Sequence, residues 1–256
     1  MAKYVQREIM AICAGRLIED GNIVFAGTGI SMLAATVAKR IHAPGSVVIF
    51  ETGGIDPSLD ELPLSVADGR VMAGTSVNSG LADALTLVGH PRFRTIAFLG
   101  AAQIDMYGNL NSTCIGNYHS PKIRFPGSGG ACDALSTASA TIVFMAHDKK
   151  RFVRALDYRT SPGWLTGGDS RKKAGFKRGG PLAVVTDLGL MKFDDETKEM
   201  YLAEYYPGVT PQMVVENTSF DMDTSRAVPF VPPTDEELRI LTQEVDPQRL
   251  ILGPRE

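Results

Sequence analysis

At 256 residues the chain is long enough to bury a full core in one large α/β domain or in a domain and a half. Its 44% hydrophobic and 21% charged residues, net charge of -3 and pI near 5.9 describe a globular protein with no field to draw in nucleic acid or an anionic membrane surface. Strand-length apolar runs exclude a membrane span, an N-terminus without basic-then-apolar order excludes a secretory signal, and three cysteines without a C-x-x-C spacing exclude a disulfide framework or zinc site, so the cytoplasm is the expected compartment.

Val5, Ile9, Ile12, Cys13 and Leu17 share one helical face, with Arg7, Arg16 and Glu19 off it and Gly21 closing the element, which predicts an amphipathic helix. Asn22 to Ala26 then reads as a short strand, Gly27-Thr28-Gly29 as a turn, and Met32 to Ile41 as a helix ended by Pro44-Gly45. Val47 to Phe50 is the next strand and delivers Glu51 into a glycine turn. Further along, strands are predicted at Arg70 to Ala73, Thr95 to Leu99 and Thr141 to Ala146, with a helix at Leu81 to Val88. Strand, glycine turn and helix in repetition give βαβ units. Past Pro181 the texture changes: Leu182 to Thr186, Leu190 to Phe193 and Met200 to Tyr205 are strands joined by tight polar turns and predict antiparallel pairs. Helices follow from Thr210 to about Asn217 and from Asp235 to Val245. The expected fold is α/β, a mainly parallel open sheet flanked by helices with an antiparallel extension in the C-terminal half. No linker splits it, so residues 1–256 are expected to form a single domain.

Several stretches carry candidate chemistry. In open α/β sheets ligands bind beyond the carboxyl ends of the strands, so Glu51 can meet a substrate carbonyl there. A Glu leaving a strand also serves as an ion-pair partner or accepts hydrogen bonds from turn amides. Gly27, Thr28 and Gly29 stand between strand and helix, where backbone N–H groups suit an anion. Met32 occupies the third position of a G-x-G-x-x-G, so a dinucleotide site is not indicated. After the Thr95 strand, Gly108-Asn109 reads as a two-residue hairpin turn, which leaves Gln103, Asp105 and Asn111 as unexplained polar groups. Gly127-Ser128-Gly129-Gly130-Ala131 is a flexible loop running into a helix near Cys132, able to bring backbone N–H groups against a developing oxyanion. The basic run Arg171 to Arg178 reads as a solvated loop, with ligand phosphate as the alternative. His119 is a secondary candidate, Trp164 a packing residue, and the four histidines are too scattered for a metal site.

Together these stretches resemble the β subunit of glutaconate CoA-transferase, a class I CoA-transferase. The resemblance runs through nearly the whole chain: Gly27-Thr28-Gly29, Val37 to Arg40, Glu51-Thr52-Gly53, Ala102 to Asp105, Tyr107-Gly108-Asn109, Asn111-Ser112-Thr113, Gly127 to Ala131, Tyr158 to Trp164 and Glu216 to Asp221. It implies that Glu51 is the catalytic nucleophile, attacking the thioester carbonyl of an acyl-CoA and passing through an acyl-glutamyl anhydride to a glutamyl-CoA thioester. An acceptor carboxylate, a short or medium acid such as glutaconate or a related dicarboxylate, then collects the CoA. Covalent catalysis of this kind predicts ping-pong kinetics. Glutamate needs no helper base at neutral pH; the oxyanion needs donors, with Gly129 and Gly130 the leading candidates beside Gly127, Ala131 and Gln103. Gly27, Thr28, Gly29, Asn111 and His119 are secondary.

The resemblance also implies an α subunit of similar fold, a hetero-oligomer, and coenzyme A as substrate with no permanently bound cofactor or metal. Neither nucleic acid nor membrane is an expected partner. Residues 74–90 are smaller and more polar than in glutaconate enzymes, which motivates an alternative: an acyl-CoA hydrolase or decarboxylase on the same scaffold. The bare Gly27-Thr28-Gly29 turn motivates another, a non-catalytic ligand-sensing α/β module.

Overall fold

The first helix forms with its apolar stripe inward but closes at Gly15 and not at Gly21, leaving Leu17 beyond it, and the strand-turn-helix that follows folds as predicted. The structure, a computed structural model, describes residues 4–59 and 61–254. The chain divides into two compact units, residues 1–98 with 231–256, and residues 99–230.

In the first unit α1 (Gln6–Gly15) buries Ile9, Ile12 and Cys13, and Gly15 lets it approach the next helix: a Cβ there would stand 3.0 Å from the Ala34 carbonyl oxygen. The strand β1 (Ile23–Phe25) leads to α2 (Ile30–Ile41), then β2 (Val47–Ile49), β3 (Gly54–Ile55), β4 (Val77–Asn78), α3 (Leu81–Gly89) and β5 (Thr95–Gly100). β1 lies between β2 and β5, parallel to both, with Phe25 opposite Ile49 and Ala97. β3 and β4 continue the sheet in antiparallel sense. Val24, Ile49, Phe50 and Ala97 are buried, which accounts for the near-continuous apolar composition of these strands.

The strand predicted at Arg70 to Ala73 is instead a turn of 3-10 helix, Gly69–Met72. The cause is local: Asp68 accepts from the Arg70 amide at 3.0 Å and from its Nη2 at 2.5 Å, closing the chain into a turn that buries only Val71. The C-terminal helix occupies Asp235–Arg239, with a Thr234 and Glu237 capping box, and widens into a π-helical stretch over Ile240–Val245.

The second unit begins with β6 (Gln103–Ile104) and β7 (Leu110–Asn111), an antiparallel pair, followed by the hairpin β8 (Cys114–Asn117) and β9 (Ser120–Arg124). Then come α4 (Ala131–Thr137), β10 (Ala140–Phe144), α5 (Ser170–Lys173), β11 (Pro181–Val185), β12 (Gly189–Phe193), β13 (Met200–Tyr205), α6 (Pro211–Glu216) and β14 (Val228–Pro229). β10 and β11 are parallel, whereas β11, β12 and β13 are antiparallel neighbours, the extension expected of the C-terminal half. The β6 to β7 connection is not a two-residue turn at Gly108-Asn109. It spans 105–109, because Ile104 pairs with Leu110 and the Asp105 carboxylate takes the Tyr107 and Asn109 amides at 3.0 Å each.

The basic run keeps Lys172, Lys173 and Lys177 exposed as expected of a solvated loop but departs from it at Arg171. Arg171 is 3% exposed, and its guanidinium donates to the carbonyls of Pro162, Gly163, Leu135, Ser136 and Arg178. Five fixed acceptors replace the water that a surface arginine would keep.

Candidate active site

Glu51 occupies the tip of a β-turn that joins β2 to β3. The Gly53 amide donates to the Phe50 carbonyl at 2.9 Å, which puts Glu51 and Thr52 at the two central positions, and the Phe50 amide donates to the Gly54 carbonyl at 2.9 Å. Phe50 is fully buried, whereas Glu51 is half-buried and Thr52 exposed, so the chain passes from core to surface within two residues. Gly53 has φ of 105° and its missing side chain is filled: a Cβ would lie 2.2 Å from the Ser79 carbonyl oxygen. The Ser79 hydroxyl and amide both donate to the Gly53 carbonyl at 3.0 Å, pinning the far side of the turn.

The neighbouring turn, Gly27-Thr28-Gly29, leaves the adjacent parallel strand β1. The Ala26 amide still donates to the Ile49 carbonyl at 3.0 Å, so the two turns depart from neighbouring strands on the same edge of the sheet. Gly29, at φ 95°, caps α2, and the Ser31 hydroxyl holds the Gly27 carbonyl at 3.0 Å. Glu51 and the Gly27 turn are thus brought to one end of one unit.

In the second unit a cavity of about 840 Å³ gathers two of the other candidates, Gln103 and Gly127, and their neighbours. Ile115, Ile123, Phe125 and Val153 form its apolar wall; Gln103, Ser112 and Gly127 give a polar side, and Lys150 and Arg151 a basic one. Gln103 is buried in a closed network: Asn111 Nδ2 donates to Gln103 Oε1 at 2.7 Å, and Gln103 Nε2 donates to Asp157 Oδ2 at 2.9 Å. Asn111 also donates to the Cys114 carbonyl at 2.7 Å. These contacts answer why the two amides stand so close in sequence: each fixes the other at the cavity wall.

The glycine loop is tied to that wall by a reciprocal pair. The Gly127 amide donates to the Ser112 carbonyl at 3.1 Å and the Ser112 hydroxyl donates to the Gly127 carbonyl at 2.9 Å. Ser128 organises the next turn, its carbonyl accepting from the Ala131 amide at 3.0 Å and its hydroxyl from the Cys132 amide at 2.9 Å. The Gly127 and Ala131 amides are therefore committed inside the loop. Gly129, at φ 50° and exposed, and the buried Gly130 lie between them. His119 sits elsewhere, exposed at the tip of the β8–β9 hairpin with its ring edge-on to Tyr118.

Asp105, half-buried, and His147, buried, are titratable groups of this unit shifted by desolvation. Burial pushes the Asp105 carboxyl up from the usual range, against the pull of the Asn109 and Tyr107 hydrogen bonds. His147 is stacked on Phe152 with ring centroids 3.8 Å apart, and burial lowers its pKa to about 4. Its ring nitrogens lie 3.3 Å from Thr186 Oγ1 and 3.0 Å from Thr218 Oγ1. It is neutral at pH 7 and engaged on both sides. Among the described residues no three His, Cys, Asp or Glu side chains are grouped to hold a metal ion.

Ser112, Ser128 and Lys150 belong to this region and were not singled out by sequence. A Ser between glycines before a helix is a turn-forming signal that could have pointed to Ser128; nothing local marks the other two.

Residues 7–217 match the family model described as Coenzyme A transferase. Among curated proteins the chain is similar to the B subunit of glutaconate CoA-transferase of Acidaminococcus fermentans, 44% identical over 99% of this chain and 97% of that one. It is also similar to the B subunit of 3-oxoadipate CoA-transferase of Pseudomonas knackmussii, 36% identical over 94% of this chain and 93% of that one. Among solved structures, glutaconate coenzyme A-transferase from Acidaminococcus fermentans superposes with a TM-score of 0.94 at 43% identity, covering 99% of each chain. Agreement of sequence and fold along the whole length shows that this chain belongs to the coenzyme A transferase family, and the activity to be explained is that of a transferase.

Proposed function

We propose that the chain is the β subunit of a CoA-transferase that moves CoA from an acyl-CoA to a short or medium dicarboxylic acid through a glutamyl-CoA thioester on Glu51. The observation that carries this reading is a carboxylate held at the tip of a rigid turn, beyond the end of a parallel strand, in a member of this family. The Glu51 carboxylate adds to the thioester carbonyl, and collapse of the tetrahedral intermediate expels CoA thiolate and leaves an acyl-glutamyl anhydride. The thiolate attacks the glutamyl carbonyl of that anhydride, releasing the first acid and forming the glutamyl-CoA thioester. The acceptor acid then runs the sequence in reverse and restores Glu51.

Each tetrahedral intermediate carries an oxyanion, and one well-placed donor contributes on the order of 3 kcal/mol to its stabilisation. Gly129 and Gly130 are the proposed donors. Gly127 and Ala131 shape the loop, and Gln103 with Asn111 fixes the cavity wall. Gly27, Thr28 and Gly29 are secondary candidates for CoA contact, and the exposed His119 remains a secondary candidate as well. The apolar wall with Lys150 at its rim suits a chain that ends in a second carboxylate. That the relatives' names specify glutaconate and 3-oxoadipate, both dicarboxylates, supports the same substrate class.

Both relatives are named as B subunits, which supports assembly with a companion α subunit as a cytoplasmic hetero-oligomer. No helix among the described residues is long and apolar enough to cross a membrane. Coenzyme A enters as substrate and covalent intermediate, with no resident cofactor in the proposed cycle. Family membership sets aside the ligand-sensing alternative.

The test is to incubate the purified complex with acyl-CoA, reduce with borohydride, and examine the peptide containing Glu51 by mass spectrometry. A reduced glutamyl adduct, absent in Glu51→Ala, is expected. No adduct together with full activity of Glu51→Ala would sink the mechanism. Product analysis with and without an added carboxylate acid decides against hydrolysis or decarboxylation if turnover strictly requires the acceptor.

A further inference from the structure

Like charges placed side by side repel and ordinarily stay apart in water. In this chain Arg171, Lys172, Lys177, Arg178 and Lys198 instead line one groove of about 640 Å³, joined by a single carboxylate, Asp169, which is paired with Lys173 at 2.9 Å. No carboxylate among the described residues lies within ion-pair distance of Arg171, Lys172, Lys177 or Lys198. The chain as a whole carries a net charge of -3, so the groove opposes the sign of the molecule.

Two of the cations, Arg171 and Lys198, are also held in place. Arg171 is pinned by five carbonyls and lies 4.4 Å over the Phe176 ring; burial lowers its pKa to about 10, which leaves it charged at neutral pH. Lys198 stands 4.8 Å over the indole of Trp164, whose Nε1 donates to the Pro181 carbonyl at 3.1 Å. The loop that closes the groove is packed against its surroundings: a Cβ on Gly179 would lie 2.0 Å from the Ala138 carbonyl oxygen and one on Gly180 2.5 Å from the Trp164 ring. Arg171 and Lys198 are thus fixed in the groove, and Lys172 and Lys177 stand exposed beside them, a cluster of positive charge that suits an external polyanion.

We infer that this groove is a binding site for a multiply charged phosphate ligand, recognised by Lys172, Lys177 and Lys198 around the buried Arg171. The shared chemistry is a diphosphate or phosphomonoester, which a free diphosphate or the phosphorylated nucleotide end of a CoA thioester would supply. The inference does not depend on the role of Glu51, because it concerns binding alone.

Trp164 is the chain's single tryptophan and lines the groove, which provides a reporter. The full chain, with its companion subunit where the two copurify, is titrated with sodium pyrophosphate and separately with adenosine 3′,5′-bisphosphate at low salt. Tryptophan fluorescence is followed, and Trp164→Phe assigns the signal. Equilibrium dialysis with labelled pyrophosphate measures the same binding without the reporter. Saturable binding that weakens with added salt is expected, with affinity reduced about tenfold by Lys177→Gln and similarly by Lys172→Gln. If the bisphosphate competes with pyrophosphate and is weakened by the same substitutions, the nucleotide end of CoA is the source; if pyrophosphate alone binds, it is a free diphosphate. Absence of saturable binding in dialysis, or unchanged affinity in both lysine variants, overturns the site. Glu51→Ala is expected to bind as the parent does, so a failure of the covalent mechanism and a failure of this site give different results.

Discussion

A Cβ built on Gly53 would stand 2.2 Å from a backbone oxygen, whereas one built on Gly127 meets no atom within 4 Å, although both residues have φ near 100°. The Glu51 turn is glycine because its surroundings are full. At Gly127, only the dihedral angle demands glycine, and the space beside it stays empty. The first arrangement immobilises a side chain; the second keeps room beside the backbone. The two units thus use glycine for opposite reasons, one to fill space and one to leave it open.

The comparison can be broken in four places. The largest effect is expected from Glu51→Ala, a loss of turnover on the order of 10⁴ or more, measured by acceptor-dependent CoA transfer. Gly53→Ala comes next: backbone clash adds to the cost of positive φ, and a loss of about 3 kcal/mol in urea unfolding is expected. A midpoint equal to the parent's would show that the turn is less tightly enclosed than its geometry indicates.

The third concerns the second unit's packing. His147, with a folded pKa of about 4, is depressed below the ordinary 6.5, so the unfolded chain binds a proton first on acidification. Its contribution is complete above pH 6.5 and is lost as pH falls towards 4, about 2 kcal/mol of it by pH 5. Urea midpoints measured across that window should fall for the parent and stay flatter for His147→Gln. The smallest effect is assigned to Gly127→Ala, about 1 kcal/mol, because the strain is local and nothing is displaced. A cost matching that of Gly53→Ala would erase the contrast between the turns.

Much of this was legible in the residues themselves. Apolar runs ending in glycine turns located β1, β2, β5 and β10, and the tight polar turns located the antiparallel β11, β12 and β13. Glu51 stood out because a charge at the end of such a run is conspicuous. What escaped was set by partners far away in the chain or by very local chemistry. Val71 and Met72 looked like a strand until Asp68 closed on Arg70. Arg171 looked like a solvated cation because its acceptors come from separate segments, at Leu135, Ser136, Pro162, Gly163 and Arg178. The β8–β9 hairpin, half exposed and interrupted by Gly116 and Pro121, carries too weak an alternation to be read.

That hairpin has a further consequence. Its base is closed by the reciprocal hydrogen bonds of Ser112 with Gly127 and by the Phe125 amide on the Thr113 carbonyl at 2.9 Å, while Ile115, Ile123 and Phe125 project into the cavity wall. Residues 113–126 therefore form an exchangeable cassette: its tip and wall can be rewritten while the clasp at Ser112 keeps the glycine loop where it is. A laboratory could graft the segment between relatives with the clasp left intact and change the apolar wall of the cavity without moving the glycine loop.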